Sequence, residues 1–146
     1  MKMTALAAGL LIVPLVDQGL KAILRRTLGL RSFSLGWFGS LRVKEAQIWW
    51  VRLGRNSNMA MIWLLWLFAA GAVATLTVLC PSCGWFAGLL MGGSISHGLE
   101  SSIRGCVSDY VCLRFWPAFD LADMAITVGF IGTALGVLIT IRDAFP

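Results

Sequence analysis

Gly105-Cys106-Val107-Ser108-Asp109-Tyr110-Val111 and, after a short interval, Phe115-Trp116-Pro117-Ala118-Phe119-Asp120-Leu121-Ala122-Asp123 are the stretches from which the fold is read. The second opens an apolar run that continues to Ile141. Asp109 and Asp123 stand at the edge of that run, in a chain that is 58% hydrophobic and has only seven Asp and Glu residues. An acid beside or inside a membrane segment is costly to solvate and is by default a functional residue. Two that converge can share a proton and activate water.

Working outward, the 146 residues carry 13% charged side chains and a mean hydropathy of +0.82. This excludes an ordinary soluble domain and reads as a single integral membrane domain over residues 1–146. About 20 apolar residues cross a bilayer as a helix, because only internally paired backbone survives in hydrocarbon. Four stretches qualify. Residues 4–24 are broken only by Asp17, Gln18 and Lys21; 59–79 carry no charge; 84–103 contain His97 and Glu100; 121–141 contain Asp123. Lys2 and the following apolar run imitate a signal peptide. A small-residue cleavage site is lacking, and Asp17 and Lys21 fall within the span, so the segment reads as a retained first helix. The expected fold is an all-α membrane protein with four transmembrane helices and a small β-like membrane-surface element in loop one.

Loop one, residues 25–58, holds seven basic residues, four glycines and Trp37, Trp49 and Trp50. Arg and Trp together favour the headgroup region, and short strands are expected near 41–43 and 48–53. Loop two is only Cys80-Pro81-Ser82-Cys83. Loop three, residues 104–120, places Val107, Asp109, Val111, Leu113 and Phe115 on one face, the period of a strand. The net charge of +5 fits lipid headgroups better than nucleic acid, since no basic stretch is interleaved with base-stacking aromatics. Only Lys2 and Arg142 lie on the terminal side. By the positive-inside tendency alone, loops one and three would be cytoplasmic.

Individual residues carry two readings each. Asp17 and Lys21, four apart on one helix face, lower each other's burial cost. They are either a snorkelling interfacial pair or anchors for loop one or a substrate near the aspartates. His97 and Glu100 suit a polar contact to helix four or loop three better than a metal site, because the chain has one histidine. Asp120 is placed to cap the last helix and to perturb its neighbours by like charge. Asp123 and Asp109 could themselves be a cap and a solvated loop acid. Cys80 and Cys83 have redox spacing, and Cys106 and Cys112 could form a second pair. Gly88-x-x-x-Gly92 and Gly132-x-x-x-Gly136 should pack helices three and four together.

Loop three and the last helix resemble the C-terminal signature of signal peptidase II, the lipoprotein signal peptidase. That pattern has Gly-Gly-Ala, a glycine before Val-Val-Asp-Phe, then Phe-Asn-x-Ala-Asp with an Ile-x-x-Gly tail. Here stand Gly92-Gly93-Ser94, Gly105-Cys106-Val107-Ser108-Asp109-Tyr110, Phe119-Asp120-Leu121-Ala122-Asp123 and Ile126-Thr127-Val128-Gly129. The family's Asp-Gln-x-x-Lys is matched by Asp17-Gln18-Gly19-Leu20-Lys21 in the first helix. There are departures. An Asn-x-Gly motif in loop one has no counterpart around Val43-Lys44-Glu45-Ala46-Gln47. The family's Gly-Asn-x-x-Asp-Arg reads Ser96-His97-Gly98-Leu99-Glu100-Ser101, and its Asn before Ala-Asp is Asp120.

The resemblance implies a divergent intramembrane aspartic endopeptidase. It would remove signal peptides from diacylglyceryl-modified prolipoproteins, with Asp109 and Asp123 as the catalytic pair. Asp17, Lys21, His97, Glu100 and Asp120 would support the pair or bind substrate. No metal or organic cofactor is implied. The implied partners are the diacylated prolipoprotein and membrane lipids, and the implied state is a monomer. It further implies a bacterial inner membrane protein with the site facing the periplasm or cell exterior, against the charge count. Motifs in the right order in the right spans outweigh a statistical tendency. Two other readings stay open: a non-catalytic relative that binds lipopeptides or signal peptides, and a membrane thiol oxidoreductase.

Overall fold

A computed structural model describes residues 2–29, 31–46 and 55–145. Four helices form where the apolar runs lie: α1 (Lys2–Leu28), α2 (Arg55–Leu79), α3 (Gly84–Arg104) and α4 (Leu121–Ala144). Three of them, from Thr4 in α1, from Met59 in α2 and throughout α4, are long and apolar enough to cross a membrane. The other helix, α3, has 21 residues but interrupts its apolar face with Ser94, Ser96, His97, Glu100, Ser101 and Ser102. It is also the central helix, packing chiefly against α1 and α4. Polar side chains are tolerated there because neighbouring helices cover them.

Small residues set this packing. A Cβ on Gly88 would come within 2.6 Å of the Leu6 carbonyl oxygen, and one on Gly9 within 2.7 Å of the Gly88 backbone. The backbones of α1 and α3 therefore touch. Gly88 and Gly92 face α1, not α4 as the spacing suggested. Contact between α3 and α4 runs instead through Gly93 against Ala122 and Ile126, and through Gly129 against Phe86 and Leu90. Farther along α4, Gly132 meets the Phe86 ring and Gly136 the Cys83 sulfur. By contrast, α2 is hardly buried. Its indoles at Trp63 and Trp66 donate to Ser102 at 3.0 Å and Ser94 at 2.9 Å, which tethers it to α3.

The β element draws on both long loops. Strands β1 (Phe33–Ser34), β2 (Gly39–Ala46) and β3 (Val107–Leu113) make one antiparallel sheet in the order β1-β2-β3. The register sets Ser40 opposite Cys112 and Lys44 opposite Asp109, with an irregularity between Leu41 and Lys44. The expected strand at 41–43 lies within β2; the one at 48–53, with Trp49 and Trp50, lies outside the described residues. Loop three pairs with loop one, so the surface element is shared between them.

Gly105 makes this possible. Its φ of +74° ends α3 in the left-handed conformation, with its N–H on the Ser101 carbonyl at 2.9 Å, and β3 starts two residues later. Cys80 and Cys83 are joined in a buried disulfide in loop two. Cys106 and Cys112 are free thiols. Six residues along a strand separate them by roughly 20 Å, too far to bridge.

Candidate active site

The acids of α1, of α3 and of the start of α4 converge. Asp17, Lys21, Glu100 and Asp120 are all buried, with at most 1% of each exposed. Lys21 is the hub. Its Nζ lies 2.9 Å from Asp17 and 2.7 Å from Glu100, and it also pairs with Asp120. One ammonium thus ties α1 to α3 and to the N-cap of α4. The pair is not a snorkelling one, and it reaches α3 and α4 rather than loop one. Arg25 follows Lys21 by one turn, pairs with Glu100, and donates to the Ser108 hydroxyl at 2.8 Å. The Ser108 N–H also donates to Glu100, at 3.2 Å. A guanidinium from α1 is thus brought to Glu100, the residue before Ser101. The Ser101 hydroxyl donates back into its own helix, to the His97 and Gly98 carbonyls. Ser96 donates to Asp17 at 2.6 Å and accepts from Gln18 at 2.8 Å. Glu45 is exposed and only approaches Arg104, at 3.9 Å.

The catalytic candidates sit on top of this network. Asp120 and Asp123 form a capping box: the Asp123 N–H donates to Asp120 at 2.8 Å, and the Asp120 N–H to Asp123 Oδ2 at 3.1 Å. The helix-cap reading of both residues is thus realised. One oxygen of Asp123 is left for other work. Its Oδ1 lies 3.7 Å from His97 Nε2, which is 3.1–3.2 Å from both oxygens of Asp120. His97 thus makes the expected contact to the start of helix four. His97, Asp120 and Asp123 offer ligand atoms within 4.8 Å of one another. Lys21 and His97 already engage the Asp120 oxygens, so these oxygens have partners within the chain itself.

Asp109 reaches the same place from β3. Residues 110 and 111 bond back to Phe119, with Val111 and Phe119 exchanging two bonds of 3.0 Å. The Tyr110 hydroxyl accepts the Leu121 N–H at 2.9 Å. Burial pushes the Tyr110 phenol up to about 12, so it holds this bond as a neutral group. Strand and helix start are thereby clamped, with Asp109 one residue from the clamp. Partial burial, then the charges of Asp123 and Asp120, raise the Asp109 carboxyl to about 6. Burial would raise Asp120 too, but His97 and Lys21 outweigh it and hold that carboxyl well below the usual range. An apolar groove of about 330 Å³ runs beside Asp123, lined by Trp116, Phe119, Met124, Thr127 and Val128.

All seven residues singled out from sequence are therefore placed around one region. Arg25, Ser96, Ser108 and Tyr110 were not singled out, although Asp17, Lys21 and Arg25 already form a charged stripe at four-residue steps.

Comparison with known proteins agrees with this arrangement. The family model described as signal peptidase (SPase) II matches residues 9–139. The lipoprotein signal peptidase of Dichelobacter nodosus (strain VCS1703A) is 35% identical over 82 residues, covering 47% of this chain and 53% of that protein. That of Xylella fastidiosa (strain 9a5c) is 34% identical over 87 residues, covering 50% and 52%. The chain spans about half the length of these curated relatives. A bacterial membrane enzyme solved by the in meso method at 2.3 Å resolution superposes with a TM-score of 0.76 at 18% identity. The match covers 96% of this chain and 90% of that one, a likeness of fold. With the family pattern matched across nearly its whole length, the chain belongs to the signal peptidase II family.

Proposed function

We propose that the chain is an aspartic endopeptidase of the bacterial inner membrane that removes signal peptides from diacylglyceryl-modified prolipoproteins. The observation that carries this reading is the clamp that holds the strand of Asp109 against the start of α4, through Val111 on Phe119 and Tyr110 on Leu121, two residues from Asp123. Asp123 is the ionised member, because its Oδ2 accepts a backbone N–H and its Oδ1 faces His97. Asp109 holds the shared proton. The Asp123 carboxylate takes a proton from water, and the water oxygen bonds to the scissile carbonyl carbon. Asp109 gives its proton to the carbonyl oxygen. When the C–N bond breaks, the leaving amine takes the proton from Asp123, and one hydroxyl of the tetrahedral intermediate returns its proton to Asp109 as the new carbonyl forms. The pair titrates as a unit.

The groove beside Asp123 is apolar and open, as the apolar helix of a signal peptide requires. All four helices cross the bilayer, α3 shielded by α1 and α4, with the termini cytoplasmic and the sheet outside. Arg114 stacks on Trp37 at 4.7 Å, and Trp37, Phe38, Phe115 and Trp116 are exposed around it. This aromatic and cationic tip suits the headgroup layer. The chain works as a monomer on its lipid-anchored substrate, with no cofactor.

The electrostatics set a pH dependence. An acid raised to about 6 keeps its proton just below that pH, so the pair still holds a proton donor there. As pH rises through it, both acids become charged and the proton donor is lost. The free enzyme's kcat/KM for a diacylated prolipoprotein should therefore fall over the one or two units above about pH 6. A profile flat to alkaline pH would remove Asp109 from the role of proton donor.

A further inference from the structure

The charges around Lys21 do not balance without His97. Three buried acids, Asp17, Glu100 and Asp120, face two cations, Lys21 and Arg25. Lys21 is shared among all three acids, and Arg25 serves only Glu100. Among the described residues, one buried carboxylate is thus short of a counter-charge, a costly state in a low-dielectric interior. The group that meets the uncompensated acid is the imidazole of His97, 3.1 Å from Asp120. The same nitrogen is 3.7 Å from the free oxygen of Asp123. These two residues, 97 and 120, are also two of the positions where this chain departs from asparagine in the pattern given above, the third being in loop one. An acid in place of an amide at 120 adds one negative charge, and a protonated imidazole in place of an amide at 97 cancels it.

We propose that His97 and Asp120 are one coupled unit in which Asp120 holds the imidazole and His97 is the positioning residue for Asp123. This rests on the endopeptidase reading for its kinetic consequence, but not for the pairing itself. Loss of His97 alone leaves Asp120 buried with only a share of Lys21, which strains the N-cap on which Asp123 is built. Loss of the Asp120 charge alone releases the imidazole to pair with Asp123, and an ion-paired carboxylate is a poor base. Loss of both restores a neutral pair. A residue that merely fills space predicts additive damage; a coupled pair predicts rescue.

The test is a double-mutant cycle in the purified full chain, using a diacylated prolipoprotein. His97→Asn and Asp120→Asn should each lower kcat at least ~30-fold with KM nearly unchanged, and the double variant should return to within about tenfold of wild type. Losses that multiply in the double variant overturn the proposal. A second readout needs neither activity nor a variant. The chain has a single histidine, so its imidazole 15N signals are unambiguous. Signals of a doubly protonated ring at neutral pH in the wild type support the pair. A neutral ring in the wild type overturns it. If wild type cuts no substrate while its imidazole behaves as described, the peptidase reading fails and the pairing stands.

Discussion

Asp123→Asn abolishes cleavage of a diacylated prolipoprotein and leaves the protein folded. The amide cannot take a proton from water, so the attack on the carbonyl loses its base, a loss of about 10⁴-fold or more in comparable catalytic groups. The fold survives because an amide oxygen still accepts the Asp120 N–H that Asp123 Oδ2 accepts now, preserving the capping box. Asp109→Asn has the same outcome for the complementary reason: the carbonyl oxygen loses its proton donor, while Tyr110 and Phe119 still clamp the strand to α4. A gel-shift cleavage assay beside a thermal melt in detergent decides both. Normal cleavage by either variant expels that residue from the pair. No cleavage by folded wild type, across several substrates, identifies a relative that binds signal peptides without cutting.

Lys21→Met destabilises the protein by roughly 3–5 kcal/mol, the range for removing one partner of a buried ion pair. Methionine matches the stem of lysine but leaves Asp17, Glu100 and Asp120 facing one another, with Arg25 on Glu100 alone. These acids belong to α1, α3 and the cap of α4, so the loss spreads through the bundle. It is a large part of the stability of any domain this size. Arg26→Met, on an exposed position of the same helix, is the control and should change stability by less than ~0.5 kcal/mol. Denaturant titration in detergent micelles measures both. Equal midpoints for the two variants would show that Lys21 is not the hub of the network.

The helices and the charged pair were legible because their signals are local. Apolar runs longer than a bilayer and a four-residue spacing need no partner to be recognised. Arg25 was not singled out because the apolar run stops at Leu24, whereas α1 continues to Leu28. Arginine is a good helix former and suits a helix C-terminus, so a helix need not end where hydrophobicity does. The strand period of loop three was visible, but its pairing with β2 joins segments separated by two helices. Such pairing leaves no mark in either segment alone. The glycine spacing on α3 announced a close contact but was read towards the wrong helix; Gly88 and Gly92 meet Gly9 on α1, and spacing within one helix carries no mark of its partner. The departures in the family pattern looked independent in sequence. In space, His97 and Asp120 touch.

The cysteines give the chain its own reporter of sidedness. Cys80 and Cys83 are buried and closed on each other, so a maleimide cannot reach them. The two free thiols, Cys106 and Cys112, are partly exposed and flank Asp109, Cys112 on the strand that carries it and Cys106 just before that strand. Burial, then the charges of Glu45 and Glu100, push the Cys106 thiol up, which slows its thiolate chemistry and favours Cys112 as the first to react. A membrane-impermeant maleimide added to intact cells therefore reads, without any engineered label, the face of the membrane on which the aspartates open.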